Sequence, residues 1–276
     1  SGSKRLQAWC KDNNVSINKC GKVIAPQRID LDPQIDFLYE RGIRNGANVK
    51  VINQKEFHQL MPYGRTSSGR ALWTPDTCVV NPKEVLKKLE LVLISKGVIF
   101  LKNTDIRNLD VNARILFLSN GLSERTTTQI NYEHLFNTAG LNADLLARKF
   151  GLGMKYNLLP FKGIYWKLNP KAPLKFDRNF YPVPDLNMPF LGVHFTPAND
   201  GSINLGPTAI PAFGRENYKG FERFEPFLTL KFINSLCNLL LSNNNDFRRY
   251  AKDQIFHGLK YFFLKEAQQL VPDLKN

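Results

Sequence analysis

Between residues 181 and 207 the sequence encodes a β-hairpin with a polar pair on one face. Tyr181-Pro182-Val183-Pro184-Asp185 is followed by Pro189-Phe190-Leu191-Gly192-Val193-His194-Phe195-Thr196, then Asn199-Asp200-Gly201, then Leu205-Gly206-Pro207. Two alternating apolar stretches around an Asn-Asp-Gly turn are a hairpin signal. His194 and Thr196 stand two residues apart on the first strand and so share a face. A polar pair on an otherwise apolar strand meets either a polar ligand or a buried partner.

The rest of the chain builds a domain large enough to support such a hairpin. Its 276 residues, 43% of them hydrophobic, suffice for one large domain or two modest ones. The net charge of +14 suits anionic partners: nucleic acid, acidic lipid or a dicarboxylate. The basic residues are scattered, and no zinc-finger or RNA-recognition signature occurs, so nucleic acid is not expected. Cys10, Cys20, Cys78 and Cys237 form no CxxC and no metal-ligand cluster, which reads as free, mostly buried thiols and no metal site. No leader and no apolar span of about 20 residues is found. The expectation is a cytoplasmic protein, with peripheral contact at the inner face of a membrane as the one membrane option.

Periodicity and punctuation predict helices over 3–13, from Asp32-Pro33 to near Gly46, over 55–61, and from Asn81-Pro82 to Lys96 before Gly97. Strands are predicted at 22–25 and 49–52, an extended stretch at 71–80, and a meander of 98–102, 106–109 and 114–118. A strand at 129–136 runs into Asn137-Thr138-Ala139-Gly140 and a helix over 142–150, an arrangement through which a phosphate can approach helix amides. One long strand is expected over 157–168. The end of the chain reads as helical at 227–241, 246–257 and up to Leu270. The 227–241 helix is too short to cross a bilayer. It could dock in a core or lie against a membrane. The fold class is α+β, with a mixed, largely antiparallel sheet and flanking helices.

No GxGxxG and no Walker loop occurs. Yet Cys20-Gly21-Lys22-Val23, Leu38-Tyr39-Glu40, Asn137-Thr138-Ala139-Gly140, Pro160-Phe161-Lys162-Gly163, Tyr181 to Asp185, Phe190 to Thr196, Asp200-Gly201 and Leu205-Gly206-Pro207 follow in an order that resembles a flavoprotein family. The resemblance is to the L-2-hydroxyglutarate dehydrogenase/oxidase family of the FAD-dependent, D-amino-acid-oxidase-like superfamily. It places the chain in the family's interior, between an N-terminal GxGxxG segment and a C-terminal FAD-contacting segment. It thereby implies that the intact protein carries the full FAD set. It assigns 21–80 and 156–276 to a substrate-binding domain, and 1–20 and 81–155 partly to an incomplete FAD-binding part. Three positions depart from the family pattern: Lys162 stands for an arginine, Ala198 follows the proline of His-Phe-Thr-Pro where an arginine is common, and Asn81-Pro82 stands for Asp-Tyr.

The resemblance implies FAD as cofactor, a small dicarboxylate substrate and oxidation of a 2-hydroxy acid, with electrons passing on to oxygen or a quinone. His194 is the candidate catalytic base, since a neutral imidazole can take the hydroxyl proton while hydride leaves the carbon. Lys162, Tyr165, Tyr181 and Thr196 are candidates for the substrate carboxylates. Asn137, Thr138, Ala139 and Gly140 are the cofactor candidates. Each also has an ordinary reading: strand histidine, strand former, core aromatic or plain helix start. Lys162 and Tyr165 fall on opposite strand faces unless a bulge at Gly163 intervenes. Gly206-Pro207 and Asp185 read as turn residues, and His58, His134 and His257 as surface or helix histidines. Two other functions remain open: a flavin-free remnant that binds a dicarboxylate or a partner, and an amino-acid or glycerol-3-phosphate oxidase of the same superfamily.

Overall fold

The computed structural model describes residues 2–120, 127–184, 192–243, 248 and 260–275. Asp185, positions 189–191 of the hairpin run, the 246–257 helix and His257 lie outside the described residues. The helices are α1 (Gly2–Asp12), α2 (Pro33–Arg44), α3 (Gln54–Leu60), α4 (Pro82–Ser95), α5 (Ala143–Lys149), α6 (Pro226–Ser242) and α7 (Lys260–Leu270). The strands that matter below are β1 (Ile17–Asn18), β2 (Lys22–Ala25), β3 (Lys50–Ile52), β4 (Ala71–Thr74), β5 (Val79–Val80), β6 (Thr104–Asp110), β7 (Ile115–Asn120), β8 (Thr127–Asn131), β9 (Phe161–Lys162), β10 (Trp166–Lys167), β11 (Asn179–Pro182), β12 (His194–Pro197) and β13 (Ile203–Gly206). Two compact units divide the chain: Ser1–Leu89 with Phe161–Ile210 and Asn234–Asn276, and Glu90–Pro160 with Pro211–Ile233.

The first unit is built on a seven-stranded sheet of order β10-β13-β12-β11-β2-β4-β3. β11 and β2 run parallel; the other neighbours are antiparallel, so the sheet is mixed and largely antiparallel as expected. The predicted hairpin is β12–β13, with His194 opposite Gly206 and Thr196 opposite Asn204. Asp200 shapes its turn by accepting from the Ser202 amide at 2.9 Å, and Gly201 takes φ +79°.

Strand alternation divides this sheet into two unlike faces. One face carries Val23, Ala25, Ala71, Phe180, Phe195 and Leu205, sealed by Phe57 of α3, Met61 and Phe263, Ala267 and Leu270 of α7. On the other, Leu31 and Ile35 pack on Leu72 and Ile24 at one end. Among the described residues, Lys22, Tyr181, His194, Thr196 and Asn204 of that face are not part of this apolar cluster.

Three local expectations change. Asp32 precedes α2 but gives no side-chain cap; its carboxylate instead pairs with Arg70 at 2.9 Å. α3 is capped instead by Asn53 and Glu56 in a reciprocal box. The long 157–168 strand is two short pieces, β9 and β10, because Ile164 exchanges hydrogen bonds with Thr208 between them. In the second unit the meander exists, but as β6-β7-β8. Residues 98–102 stay outside it: Val98 bonds back to Leu93 as α4 ends at Gly97 (φ +85°), and Ile99 is 83% exposed. α4 buries none of its side chains, and α6 buries only Thr229 and Phe232. No helix among the described residues is long and apolar enough to cross a membrane. Cys10 and Cys20 are buried, Cys78 is half-buried and Cys237 is exposed; all four are free.

Gly21 leads into β2 and is tied to the turn that follows β4. At φ +69°, its amide donates to Thr77 at 2.8 Å, and a Cβ there would stand 2.0 Å from the Trp73 ring. Gly21→Ala is therefore expected to destabilise the protein by about 3 kcal/mol through strained backbone and overpacking. An unmoved urea midpoint would refute this.

Candidate functional site

The face of the sheet that carries His194 brings together residues from five chain segments. β12 supplies His194 and Thr196, and β11 supplies Tyr181 beside them, because Phe180 pairs with Phe195 in register. The Tyr181 and His194 rings stack at 3.9 Å between centroids and 17° between planes. Thr196 hydrogen-bonds the Tyr181 side chain. Opposite His194 on β13 sits Gly206, whose absent side chain leaves room for Tyr165: a Cβ at 206 would lie 3.0 Å from the Tyr165 ring. The strand breaks off between β9 and β10 instead of continuing through a bulge at Gly163, and Tyr165 lies in that break. Tyr165 is 56% exposed and stands in the electrostatic neighbourhood of Tyr181.

The state of His194 follows from its bonds. The ring is 7% exposed, and Nδ1 lies 3.1 Å from the Gly192 carbonyl oxygen. A carbonyl only accepts, so Nδ1 carries the proton and Nε2 keeps its lone pair. Burial pushes the imidazole below the ordinary histidine value of 6.5, the Gly192 bond pulls it partly back, and the Lys22 charge lowers it further. His194 is thus a neutral ring with one basic nitrogen. Burial pushes the Tyr181 phenol up, so it remains a hydrogen-bonding hydroxyl.

Lys22 is the group that sequence reasoning missed as a site residue. It opens β2, on the parity of Ile24 and opposite that of the core residues Val23 and Ala25. Its Nζ stands 5.3 Å from the Tyr181 ring centroid. A lysine at the head of a half-buried strand was the available signal. The sequence lacked the parallel pairing of β2 with β11, which joins segments as far apart as Gly21 and Asn179.

Lys162 is half-buried on β9. Asn137 to Gly140 belong to the second unit. Asn137 spends its side chain inside its own turn, donating to the Ala143 carbonyl at 2.8 Å and accepting from the Ala139 amide at 3.3 Å. Thr138, Ala139 and Gly140 are exposed, and nothing lies within 4 Å of a Cβ at Gly140, so a ligand can approach the backbone there. Arg215 fixes the adjoining α5 from the same unit through a bidentate pair with Asp144 at 2.6 and 3.0 Å and a bond to the Leu141 carbonyl. This pair holds the Asp144 carboxyl below its ordinary range. His58 and His134 are exposed, and Pro207 packs against Gly163, consistent with turn and surface roles.

Known proteins carry the same fold. L-α-glycerophosphate oxidase from Mycoplasma pneumoniae superposes with a TM-score of 0.64 at 20% identity, over 95% of this chain and 59% of that one. L-proline dehydrogenase from P. horikoshii gives 0.64 at 14%, over 87% and 62%. In sequence, human mitochondrial L-2-hydroxyglutarate dehydrogenase is 32% identical over 255 residues, covering 88% of this chain and 54% of that protein. The L-2-hydroxyglutarate dehydrogenase of Escherichia coli K12 is 30% identical over 222 residues, covering 79% and 50%. The chain spans about half the length of the curated relatives it matches. The model of the DAO family, described as FAD dependent oxidoreductase, matches residues 1–274, and the chain belongs to that family.

Proposed function

We propose that this chain is the substrate-binding part, with a portion of the FAD-binding part, of an oxidoreductase that converts a 2-hydroxy acid, most like L-2-hydroxyglutarate, to the 2-oxo acid. The first unit takes the substrate role and the second the cofactor role. The observation that carries the reading is the buried, neutral His194, held by Gly192 and Tyr181 on one sheet face beside a cation. The names of the relatives supply the substrate class.

The donor set fits a flavin-dependent oxidation. FAD, when bound, would supply the hydride acceptor. His194 Nε2 would take the hydroxyl proton as hydride leaves the substrate carbon, so that one O–H and one C–H bond break and a carbonyl forms. Thr196 and the phenols of Tyr165 and Tyr181 orient the acid. The open backbone of Thr138, Ala139 and Gly140 suits contact with the dinucleotide, while Asn137 shapes that turn.

The test is anaerobic addition of L-2-hydroxyglutarate, L-lactate, glycerol 3-phosphate or an L-amino acid to the FAD-loaded protein, followed by its visible absorption. Calorimetric binding of L-2-hydroxyglutarate to the chain itself gives a readout that needs no flavin. Bleaching and binding specific to the 2-hydroxy diacid support the reading. Bleaching by an amine or by glycerol 3-phosphate alone overturns it.

A further inference from the structure

We infer that Lys22 is the cation that anchors a carboxylate of the acid substrate at the His194 face, a role that the sequence reading gave to Lys162. The inference rests on the proposed 2-hydroxy-acid chemistry and adds to it the residue that selects for an anion. Lys22 lies on β2, next to β11, and projects its Nζ over the ring of Tyr181, whose opposite neighbour in the sheet is His194. Cation, phenol ring and imidazole thus occupy three adjacent strands of one face.

The ammonium is in an unusual setting. It sits on a half-buried position with no carboxylate partner among the described residues, and burial alone lowers its proton affinity. Two exposed lysines of this unit do have such a partner: Lys50 pairs with Glu56 and Lys167 with Asp200. A partly desolvated cation over a ring is held by the ring's quadrupole, and an arriving anion supplies the missing counter-charge. A carboxylate bound there also restores the proton affinity that burial removed. Lys162 stands on β9, which is not one of these three strands.

The same geometry couples Lys22 to the base. Among the described residues, the groups near His194 are Tyr181 from β11, the Gly192 carbonyl, Lys22 from β2, and Tyr165, which packs on Gly206 of β13; Glu266 of α7 accepts from the neighbouring Val193 amide at 3.1 Å. Lys22 is the cation of that set, and its charge disfavours a proton on His194. An anion that neutralises Lys22 therefore raises the proton affinity of His194 at the moment when the substrate hydroxyl must be deprotonated.

The experiment compares wild type, Lys22→Met and Lys22→Arg as the whole chain. It measures binding of L-2-hydroxyglutarate and 2-oxoglutarate by calorimetry and titrates the His194 ring carbon by NMR. Loss of one charge-assisted bond predicts binding about 10- to 100-fold weaker in Lys22→Met, with partial recovery in Lys22→Arg. His194 in Lys22→Met should titrate at higher pH than in wild type without any ligand, because the nearby charge is gone. Added diacid should move wild-type His194 upward and leave the Lys22→Met ring nearly unmoved, a ligand-dependent difference that a purely structural role for Lys22 does not produce. Equal diacid binding by wild type and both variants overturns the Lys22 assignment while leaving the functional reading intact. A wild type that binds no hydroxy or oxo diacid overturns the functional reading itself.

Discussion

Replacing His194 with asparagine is expected to slow substrate-driven reduction of the bound flavin by about 1,000-fold, the scale of a lost general base. The asparagine amide keeps a donor for the Gly192 carbonyl that Nδ1 serves in the native protein, but it offers no basic lone pair. Rapid-mixing absorption under anaerobic conditions measures the step directly. A loss below about tenfold would remove His194 from the chemistry and return it to the role of a packed strand residue.

The pH dependence carries its own sign. The reactive form is the neutral ring, and burial with the nearby Lys22 charge sets its pKa below 6.5. The wild-type rate should therefore stay flat from neutral pH upward and fall as pH drops through that lowered value. The His194→Asn variant should lose this acid limb. Folding obeys the same linkage: the unfolded chain binds a proton at 6.5 that the folded site resists. The His194 contribution to stability is thus present above 6.5 and is lost as pH falls toward the folded pKa.

Phe195→Ala is expected to have the largest effect on stability in the first unit. Phe195 is fully buried between His194 and Thr196 in sequence, and its ring lies 5.0 Å from Phe176 and 6.4 Å from Phe180. Truncation leaves a cavity in the face sealed by α3 and α7, at a loss of about 4 kcal/mol. Thermal unfolding followed by near-ultraviolet circular dichroism should show the midpoint lowered by roughly 10 °C. His194→Asn should move that midpoint far less, which separates the residue that builds the strand from the residue that uses it. A Phe195→Ala protein with an unchanged midpoint would mean that β12 is not seated in this core.

Much of the local structure could be read from the chain. β2 matches its predicted limits residue for residue, and α3 and α4 come within one or two residues of theirs, because caps and apolar spacing act between near neighbours. Asp32 shows the limit of such reading. It stands where an N-cap belongs, yet its carboxylate is drawn to Arg70, a partner 38 residues away. The 157–168 stretch shows the same limit: its apolar pattern suits one strand, but hydrogen bonds to Thr208 divide it.

The sequence by itself determined that His194 and Thr196 share a face, since alternation along a strand is a property of the backbone. It also carried the family, through blocks that keep their order along the chain. Only the tertiary structure decided what that face contains. Sheet order placed β2 beside β11 and so put Lys22 over Tyr181, and the break after β9 brought Tyr165 across Gly206. The physical reason is that strand pairing joins segments far apart in sequence, and the burial that sets the charge states of His194 and Lys22 exists only once the sheet has formed.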